Sequence, residues 1–394
     1  MSGPIEINVF GRTDVGQIRE HNEDNFVVAD LTRKTRSLKE PDRRLVVGER
    51  GLVLGVCDGM GGAAAGEVAS QLAVDIIYEK LANTDTPPDR DELARRLVHA
   101  IEEAGSRIYN DARADRSRRG MGTTSTVAAL VDEILFVGQV GDSRAYLLRD
   151  GKLVQVSRDQ SLVTQLIEAG QLTEEEAENF EHNNIILQAL GTAETVQVDL
   201  THVELRRGDV LLLCSDGLSG MVRNDEIREV LVANPEPFDA CRVLIERANA
   251  AGGHDNVTVI VAQFGGDGVP ERAAADPPVG YRKYALPETT RSAPTLRTAT
   301  PSSTDIQLAH APSAEASRES RRLRVGHTMV GMTNPLAGVD LGGAAPPASA
   351  PPPTYSGADE PVDIPTTGMP PRVVGLLVVG AFVLLAVAGS LLLR

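Results

Sequence analysis

One arrangement, repeated along the chain, constrains it most: a short apolar run that stops at a carboxylate beside glycine. The clearest case is Leu52 to Gly62, LVLGVCDGMGG, where the run enters Asp58 and a glycine cluster. Such a pattern reads as a buried strand ending in a tight turn, so the carboxylate stands on rigid backbone. Gly59, Gly61 and Gly62 carry no Cβ, which lets main-chain carbonyls approach whatever Asp58 binds, and a hard cation is the natural ligand. FVGQVGDSR (Phe136 to Arg144) reaches Gly141 and Asp142 in the same way, and VLLLCSDGL (Val210 to Leu218) delivers Asp216 to a turn. Two further segments set acids just ahead of a strand. REHNEDN (Arg19 to Asn25) places Glu23 and Asp24 before Phe26, and GGHDNVT (Gly252 to Thr258) places Asp255 and Asn256 before the last apolar run.

Between these points the periodicity alternates in blocks. Ile5, Ile7 and Val9 alternate with polar residues, and Phe26 to Ala29 continues the strand character. Val68, Leu72, Ile76 and Leu81 mark one helix, and Leu93, Leu97, Ile101, Ala104 and Ile108 a second. Strands return over 124–131, 134–140 and 145–149, the last joined to 152–156 by Asp150-Gly151, a two-residue hairpin signal. Ser161 to Ala169 reads as a helix stopped by Gly170, and Thr173 with Glu176 forms a capping box for another. Strands follow at 196–203 and 209–214, helices at 225–233 and 239–250, and a strand at 257–264. Hairpins grouped together and helices grouped in pairs predict an α+β fold, with two antiparallel sheets packed together and helices outside. The basic stretch 31–44, with Arg33, Lys34, Arg36, Lys39, Arg43 and Arg44, reads either as a solvated loop or as a docking surface for acidic or phosphorylated segments.

Several carboxylates gathered in one place repel one another unless cations neutralise them. An all-oxygen donor set suits Mg²⁺ or Mn²⁺ and disfavours zinc. Two such ions can share a bridging water, lower its pKa and direct it at phosphorus. Arg19 then has a use, because a guanidinium grips two phosphate oxygens at once.

In order and spacing, RxxNED, DGMGG, GTT (Gly122 to Thr124), GDSR, SDGL and GGxDNVT resemble the type 2C metal-dependent Ser/Thr protein phosphatases, the PPM family, in its bacterial form. The resemblance runs from about Val9 to Phe264. It implies a four-layer α-β-β-α sandwich and hydrolysis of phosphoserine and phosphothreonine without a phosphoenzyme. It further implies that Asp58 bridges two Mn²⁺ or Mg²⁺ ions, that the Gly59 carbonyl binds one of them, and that Asp216 and Asp255 complete the other. Glu23 corresponds to an additional acidic ligand or water-holder and Asp24 to its partner, so that Arg19, Asp58 and Asp24 are the expected catalytic residues, while Asp142 with Asp216 corresponds to a third, weaker metal site. Arg19 matches the phosphate-binding arginine, Thr123 and Asn256 match supporting positions, and residues 157–190 match a variable flap. Met60 stands where eukaryotic members have a histidine, and Gln188 where bacterial relatives often carry arginine. His21 and His254 are expected to be exposed or structural, and His99 to pack or snorkel on its helix. Expected partners are phosphorylated proteins, among them Ser/Thr kinases and their substrates. The alternative is a catalytically impaired module that recruits phosphoproteins to the membrane.

Composition divides the 394 residues into unequal parts. Residues 1–267 have globular character and form the expected phosphatase domain, whereas 268–372 shift to Pro, Ala, Ser and Thr and read as a disordered linker. Within the linker, Arg321 to Met332 is either a random enrichment or a docking motif with a phosphorylation site at Thr328. Residues 373–393 are apolar without a charge, bracketed by Arg372 and Arg394; at about 1.5 Å per residue they span roughly 30 Å, the length of a transmembrane helix. No signal peptide is visible at the amino terminus. The expectation is therefore a plasma-membrane protein with a single C-terminal anchor and a cytoplasmic catalytic domain. Net charge of −16 argues against nucleic acid as a partner. Cys57, Cys214 and Cys241 lack CxxC spacing and read as reduced core thiols.

Overall fold

The structure, a computed structural model, describes residues 3–36, 43–61, 65–84, 86–177, 180 and 184–287. The linker beyond that point and the apolar run 373–393 lie outside the described residues; among the described residues no helix is long and apolar enough to cross a membrane. The chain opens with β1 (Glu6–Asp14), β2 (Asn25–Asp30), β3 (Thr35–Arg36), β4 (Arg44–Val46), β5 (Leu52–Cys57) and β6 (Gly59–Met60). Helices α1 (Ala65–Ala82) and α2 (Arg90–Ala114) follow, then β7 (Gly122–Thr123), β8 (Ser125–Val131), β9 (Ile134–Val140), β10 (Arg144–Arg149) and β11 (Lys152–Gln155). Next come α3 (Leu162–Glu168), α4 (Glu174–Ala177), β12 (Asp199–Glu204) and β13 (Val210–Cys214). The described elements close with α5 (Asp216–Ser219), α6 (Asn224–Ala233), α7 (Pro237–Ala250) and β14 (Val257–Gly265).

Two six-stranded sheets form, ordered β11-β10-β13-β14-β1-β4 and β12-β9-β8-β5-β2-β3, and β6 pairs with β7 in a separate ribbon. The pairings within both sheets are antiparallel. Three cores stack through the molecule. The middle one joins Leu52, Leu54, Val56, Leu130 and Val137 of one sheet to Val9, Leu147, Leu213 and Ile260 of the other. Outside it, α1 and α2 cover Val53, Val127 and Phe136, while α6 and α7 cover Leu212, Val259 and Val261. This is the expected α-β-β-α sandwich, and it explains why β5 is buried at every residue: both of its faces are covered. Its apolar run is therefore continuous rather than alternating.

Local signals set the connections. Asp150 and Gly151 both take positive φ, 49° and 69°, as a tight hairpin between twisted strands requires. Ser161 caps α3 by accepting from Thr164 N. Thr173 and Glu176 form the reciprocal capping box, Glu176 Oε2 accepting from Thr173 N at 2.9 Å and Thr173 Oγ1 accepting from Glu176 N at 3.2 Å.

Three features differ from the pattern read in the sequence. The inward face of α1 is Ala65, Ala69, Ala73, Val74, Ile77 and Leu81, with Val68, Leu72 and Ile76 only partly buried at its margin. Alanines let the helix approach its sheet closely enough for Ser70 Oγ to donate to Glu23 O at 2.5 Å. The basic stretch 31–44 contains the edge strand β3 of one sheet and ends at Arg44, the first residue of the edge strand β4 of the other; their arginines are the sort of side chain that discourages edge-to-edge pairing. Finally, ordered packing continues past 267. Val269 is buried, Arg206 pairs with Asp276 at 2.8 Å, and residues 282–284 lie along β12, with His202 N donating to Arg282 O and Tyr284 N to Leu200 O. The Tyr284 ring stands edge-on to Phe136 and to His202. The composition of this strap is that of a linker, but its main chain covers the exposed edge of β12.

Candidate active site

Asp58 follows directly on β5, and its main chain is held on both sides. Thr124 N donates to Asp58 O at 2.8 Å, Asp58 N donates to Thr124 Oγ1 at 2.9 Å, and Thr123 Oγ1 donates to Asp58 O at 2.8 Å. Thr124 Oγ1 also shares a 2.8 Å hydrogen bond with Ser143 Oγ, which ties Asp58 to the turn that carries Asp142. A Cβ at Gly59 would lie 2.3 Å from Gly66 O and 2.4 Å from Glu23 O. Only glycine lets these three segments meet.

The other acids arrive from neighbouring strand ends. Asn256 staples two loops together: its Oδ1 accepts from Glu23 N at 2.8 Å, and its Nδ2 donates to Val15 O at 3.0 Å and His21 O at 2.9 Å. Asp24 is buried, with Oδ2 accepting from Ser215 Oγ at 2.8 Å and Thr258 Oγ1 at 2.7 Å. Asp216 opens the single turn α5, and a Cβ on the next residue, Gly217, would sit 2.0 Å from Asn256 O. Asp142 follows Gly141, whose φ is 98° and whose carbonyl accepts from Gln139 Nε2 at 3.0 Å. At the exposed margin Arg19 Nη2 donates to Asp255 Oδ2 at 2.7 Å.

Electrostatics show that these groups share one neighbourhood. Burial raises Asp58 well above the ordinary carboxylate range, and the charges of Asp24, Asp216, Asp142 and Asp255 raise it further. Asp24 is pushed up to about 7 by burial and by Asp216 and Asp255, against the hydrogen bonds from Thr258 and Ser215. Asp142 also rises to about 7, through burial and then Asp216 and Asp159. Burial raises Asp216, with Asp255 adding to it and a hydrogen bond from Asp58 opposing it. Glu23 is raised by burial, against a hydrogen bond from Gly66 and the charge of Arg19.

Anionic carboxylates so placed call for positive charge. Asp24 Oδ1, Asp142 Oδ1 and Asp216 Oδ1 are buried and have no hydrogen-bond partner. An all-oxygen donor set with unsatisfied acceptors fits a hard cation. Among the described residues, no three Asp, Glu, His or Cys side chains are arranged to hold a metal ion by themselves. A Mg²⁺-like ion does not need such a cage, because it keeps several waters and takes one or two carboxylates.

All eight residues singled out in the sequence, Arg19, Glu23, Asp24, Asp58, Gly59, Asp142, Asp216 and Asp255, lie in this network. Thr123 and Asn256 hydrogen-bond to the main chain around it. His21 and His254 are exposed, and His99, instead of packing, is 75 % exposed on α2 beside Glu103. Gln188 reaches the Asp142 turn through Gln160: it donates to Gln160 Oε1 at 3.0 Å and Gln197 O at 2.8 Å, and accepts from Gln197 N at 2.8 Å. Sequence reasoning missed Ser215, Thr258 and Gln160. Gln160 accepts from Gly141 N through its side chain at 3.0 Å and donates to Gly141 O through its backbone at 2.8 Å. Ser215 and Thr258 stand inside the SDGL and GGxDNVT motifs but had no role read for them; nothing marked Gln160.

A four-layer sandwich that gathers aspartates at its strand ends, with an arginine at their margin, defines a phosphatase domain of the PPM class. The family's sequence model, described as protein phosphatase 2C, matches residues 37–254, and the chain belongs to that family. The serine/threonine phosphatase Stp of Listeria monocytogenes is 36 % identical over 252 residues, covering 64 % of this chain and 94 % of that protein. A crystal structure of the Mycobacterium tuberculosis serine/threonine phosphatase PstP/Ppp superposes with a TM-score of 0.56 at 36 % identity, covering 68 % of this chain and 100 % of the other. The PstP catalytic domain in complex with two manganese ions gives a TM-score of 0.55 at 36 % identity, covering 66 % and 99 %.

Proposed function

We propose that the chain hydrolyses phosphoserine and phosphothreonine in phosphorylated proteins, opposing Ser/Thr kinases, with Mn²⁺ or Mg²⁺ at the aspartate cluster. The observation that carries this reading is the set of buried carboxylate oxygens without partners on Asp24, Asp142 and Asp216, grouped around Asp58. In this reading Asp58, the Gly59 carbonyl, Asp216 and Asp255 would hold two ions, Glu23 would add a ligand or hold a water, and Asp142 with Asp216 would take a third, weaker ion. Bound there, the ions supply Lewis acidity and lower the pKa of water that attacks phosphorus.

The protein's own contribution is placement. Arg19 is half-exposed and engaged by a single carboxylate, so its fork is free to turn from Asp255 to two phosphoryl oxygens. Thr123 and Thr124 fix the main chain on both sides of Asp58, which aims its carboxylate. Asp24 acts from behind, held by Ser215 and Thr258, and positions the strand ends of β2, β13 and β14 rather than touching substrate. Met60 offers no proton at the position where eukaryotic members have a histidine.

Isothermal titration of the full chain with Mn²⁺ tests the assignment. Tight Mn²⁺ binding by the wild type, lost in Asp58→Asn and in Asp216→Asn, is the expected result; unchanged binding in both variants contradicts it.

The apolar run 373–393 makes the enzyme a membrane-tethered one in this reading, with the phosphatase domain on the cytoplasmic side of the plasma membrane. The support is its length and lack of charge. Cell fractionation tests it: the full chain is expected in the membrane pellet and a chain ending at 372 in the supernatant. A full chain recovered as soluble protein sinks the anchor.

A further inference from the structure

The loop that carries Arg19 also carries the most exposed large apolar side chain among the described residues: Ile18 is 64 % exposed, and Val15 in the same loop is 36 % exposed. The loop is firmly held. Gly16 N donates to Asp14 Oδ1 at 3.0 Å, Gln17 N donates to Gly253 O at 2.8 Å, and Asn256 Nδ2 grips the carbonyls of Val15 and His21. Gly16 has a φ of +80°, and a Cβ there would lie 2.3 Å from Asp255 O, so the loop is pressed against the segment that bears Asp255. The backbone on either side of Ile18 is thus fixed, and its side chain is exposed to water one residue before Arg19.

Single exposed apolar residues are ordinary on protein surfaces. This one adjoins Arg19. A substrate whose phosphoryl group reaches Arg19 brings its own chain to within a few residues of this loop, since an extended peptide advances about 3.4 Å per residue. Ile18, one residue from Arg19, is then covered by a side chain one or two positions from the phosphorylated residue.

We propose that Ile18, assisted by Val15, is a specificity-determining contact that receives an apolar side chain flanking the phosphoserine or phosphothreonine of the substrate protein. The proposal rests on the phosphatase reading of the site. It names a substrate class, phosphosites with a leucine- or valine-like neighbour, that the carboxylate cluster alone does not select.

The test uses the full chain with Mn²⁺ and two phosphothreonine peptides, one with leucine and one with serine at the two positions on each side of the phosphothreonine. Covering an aliphatic side chain of this size corresponds to roughly a tenfold preference in kcat/KM for the leucine peptide, expressed through KM. The expected result is that preference in the wild type, its collapse toward unity in Ile18→Ser, and its retention in Ile18→Leu. Because the ratio is taken between two peptides on one protein, a general loss of activity in a variant does not mimic it. The same ratio in wild type and Ile18→Ser, or no preference in the wild type, overturns the proposal while leaving the phosphatase reading intact. Release of phosphate from neither peptide by the wild type overturns both.

Discussion

Asp58 and Thr124 hold each other reciprocally: Thr124 N donates to Asp58 O at 2.8 Å, and Asp58 N donates to Thr124 Oγ1 at 2.9 Å. The Thr124 hydroxyl goes on to Ser143, so one buried side chain joins the Asp58 turn to the Asp142 turn. Thr124→Val keeps the shape and removes the hydroxyl, leaving the Asp58 N–H without its acceptor. Such a loss costs about 1–3 kcal/mol. Urea denaturation should show that destabilisation, and kcat should fall at least tenfold because Asp58 is no longer aimed. Thr124→Ser, which keeps the oxygen, should recover most of both.

Metal-free protein should lose stability as pH rises through the weakly acidic range. Asp58, Asp24 and Asp142 have raised pKa values in the fold, about 7 for the last two, against about 4 in an unfolded chain. Between those values the folded state binds more protons than the unfolded, so the contribution is fully present below about pH 4 and is lost as pH climbs through about 7. In EDTA, Tm is expected to be lower at about pH 7.5 than at about pH 5, and Mn²⁺ should raise Tm more at the higher pH. Asp58→Asn should flatten the dependence. A metal-free Tm that climbs with pH over this range contradicts the burial of ionisable carboxyls described above.

The strap beyond 267 belongs to the folded domain. Tyr284 meets Phe136 at a centroid distance of 4.9 Å, and its hydroxyl donates to Asp91 of α2. Tyr284→Ala in the full chain is expected to cost about 1–2 kcal/mol, the scale of an aromatic contact plus partial burial. Hydrogen exchange at β12 should quicken at the same time. Unaltered exchange there places the strap on the surface without a part in the fold.

Each of the three cysteines is buried, and burial pushes the thiols of Cys57, Cys214 and Cys241 up to about 12. At about pH 8 the native protein holds them as thiols, which are poor nucleophiles. Iodoacetamide should leave all three unlabelled in the native state and label all three in urea. Rapid native labelling at any one of them contradicts its burial.

The clustered aspartates were legible in the sequence because strand and turn chemistry both mark them. Asp58, Asp142 and Asp216 end apolar runs next to glycine, and Asp255 precedes one, so position in the fold follows from periodicity alone. The groups that hold them were harder to see. Ser215 and Thr258 are ordinary small polar residues until folding brings β2, β13 and β14 side by side and points both hydroxyls at Asp24. Gln160 belongs to the same class, since its grip on Gly141 spans a loop with no local signature. The inward face of α1 was misjudged because alanine scores weakly in an apolar pattern yet permits the closest approach. The strap was hidden by composition: its main-chain bonds to β12 can be made by any sequence, and the side chains that anchor it, Val269, Asp276 and Tyr284, are isolated among Pro, Ala and Gly.

The most direct measurement is phosphate release from a phosphothreonine peptide by the full chain, in Mn²⁺, in Mg²⁺ and in chelator, with Asp58→Ala and Asp216→Ala alongside. The predicted result is turnover with Mn²⁺ or Mg²⁺, none in chelator, and a loss of several orders of magnitude in both variants. A folded wild type that binds Mn²⁺ yet releases no phosphate, or turnover that survives both substitutions, would contradict the assignment of the aspartate cluster as the catalytic centre.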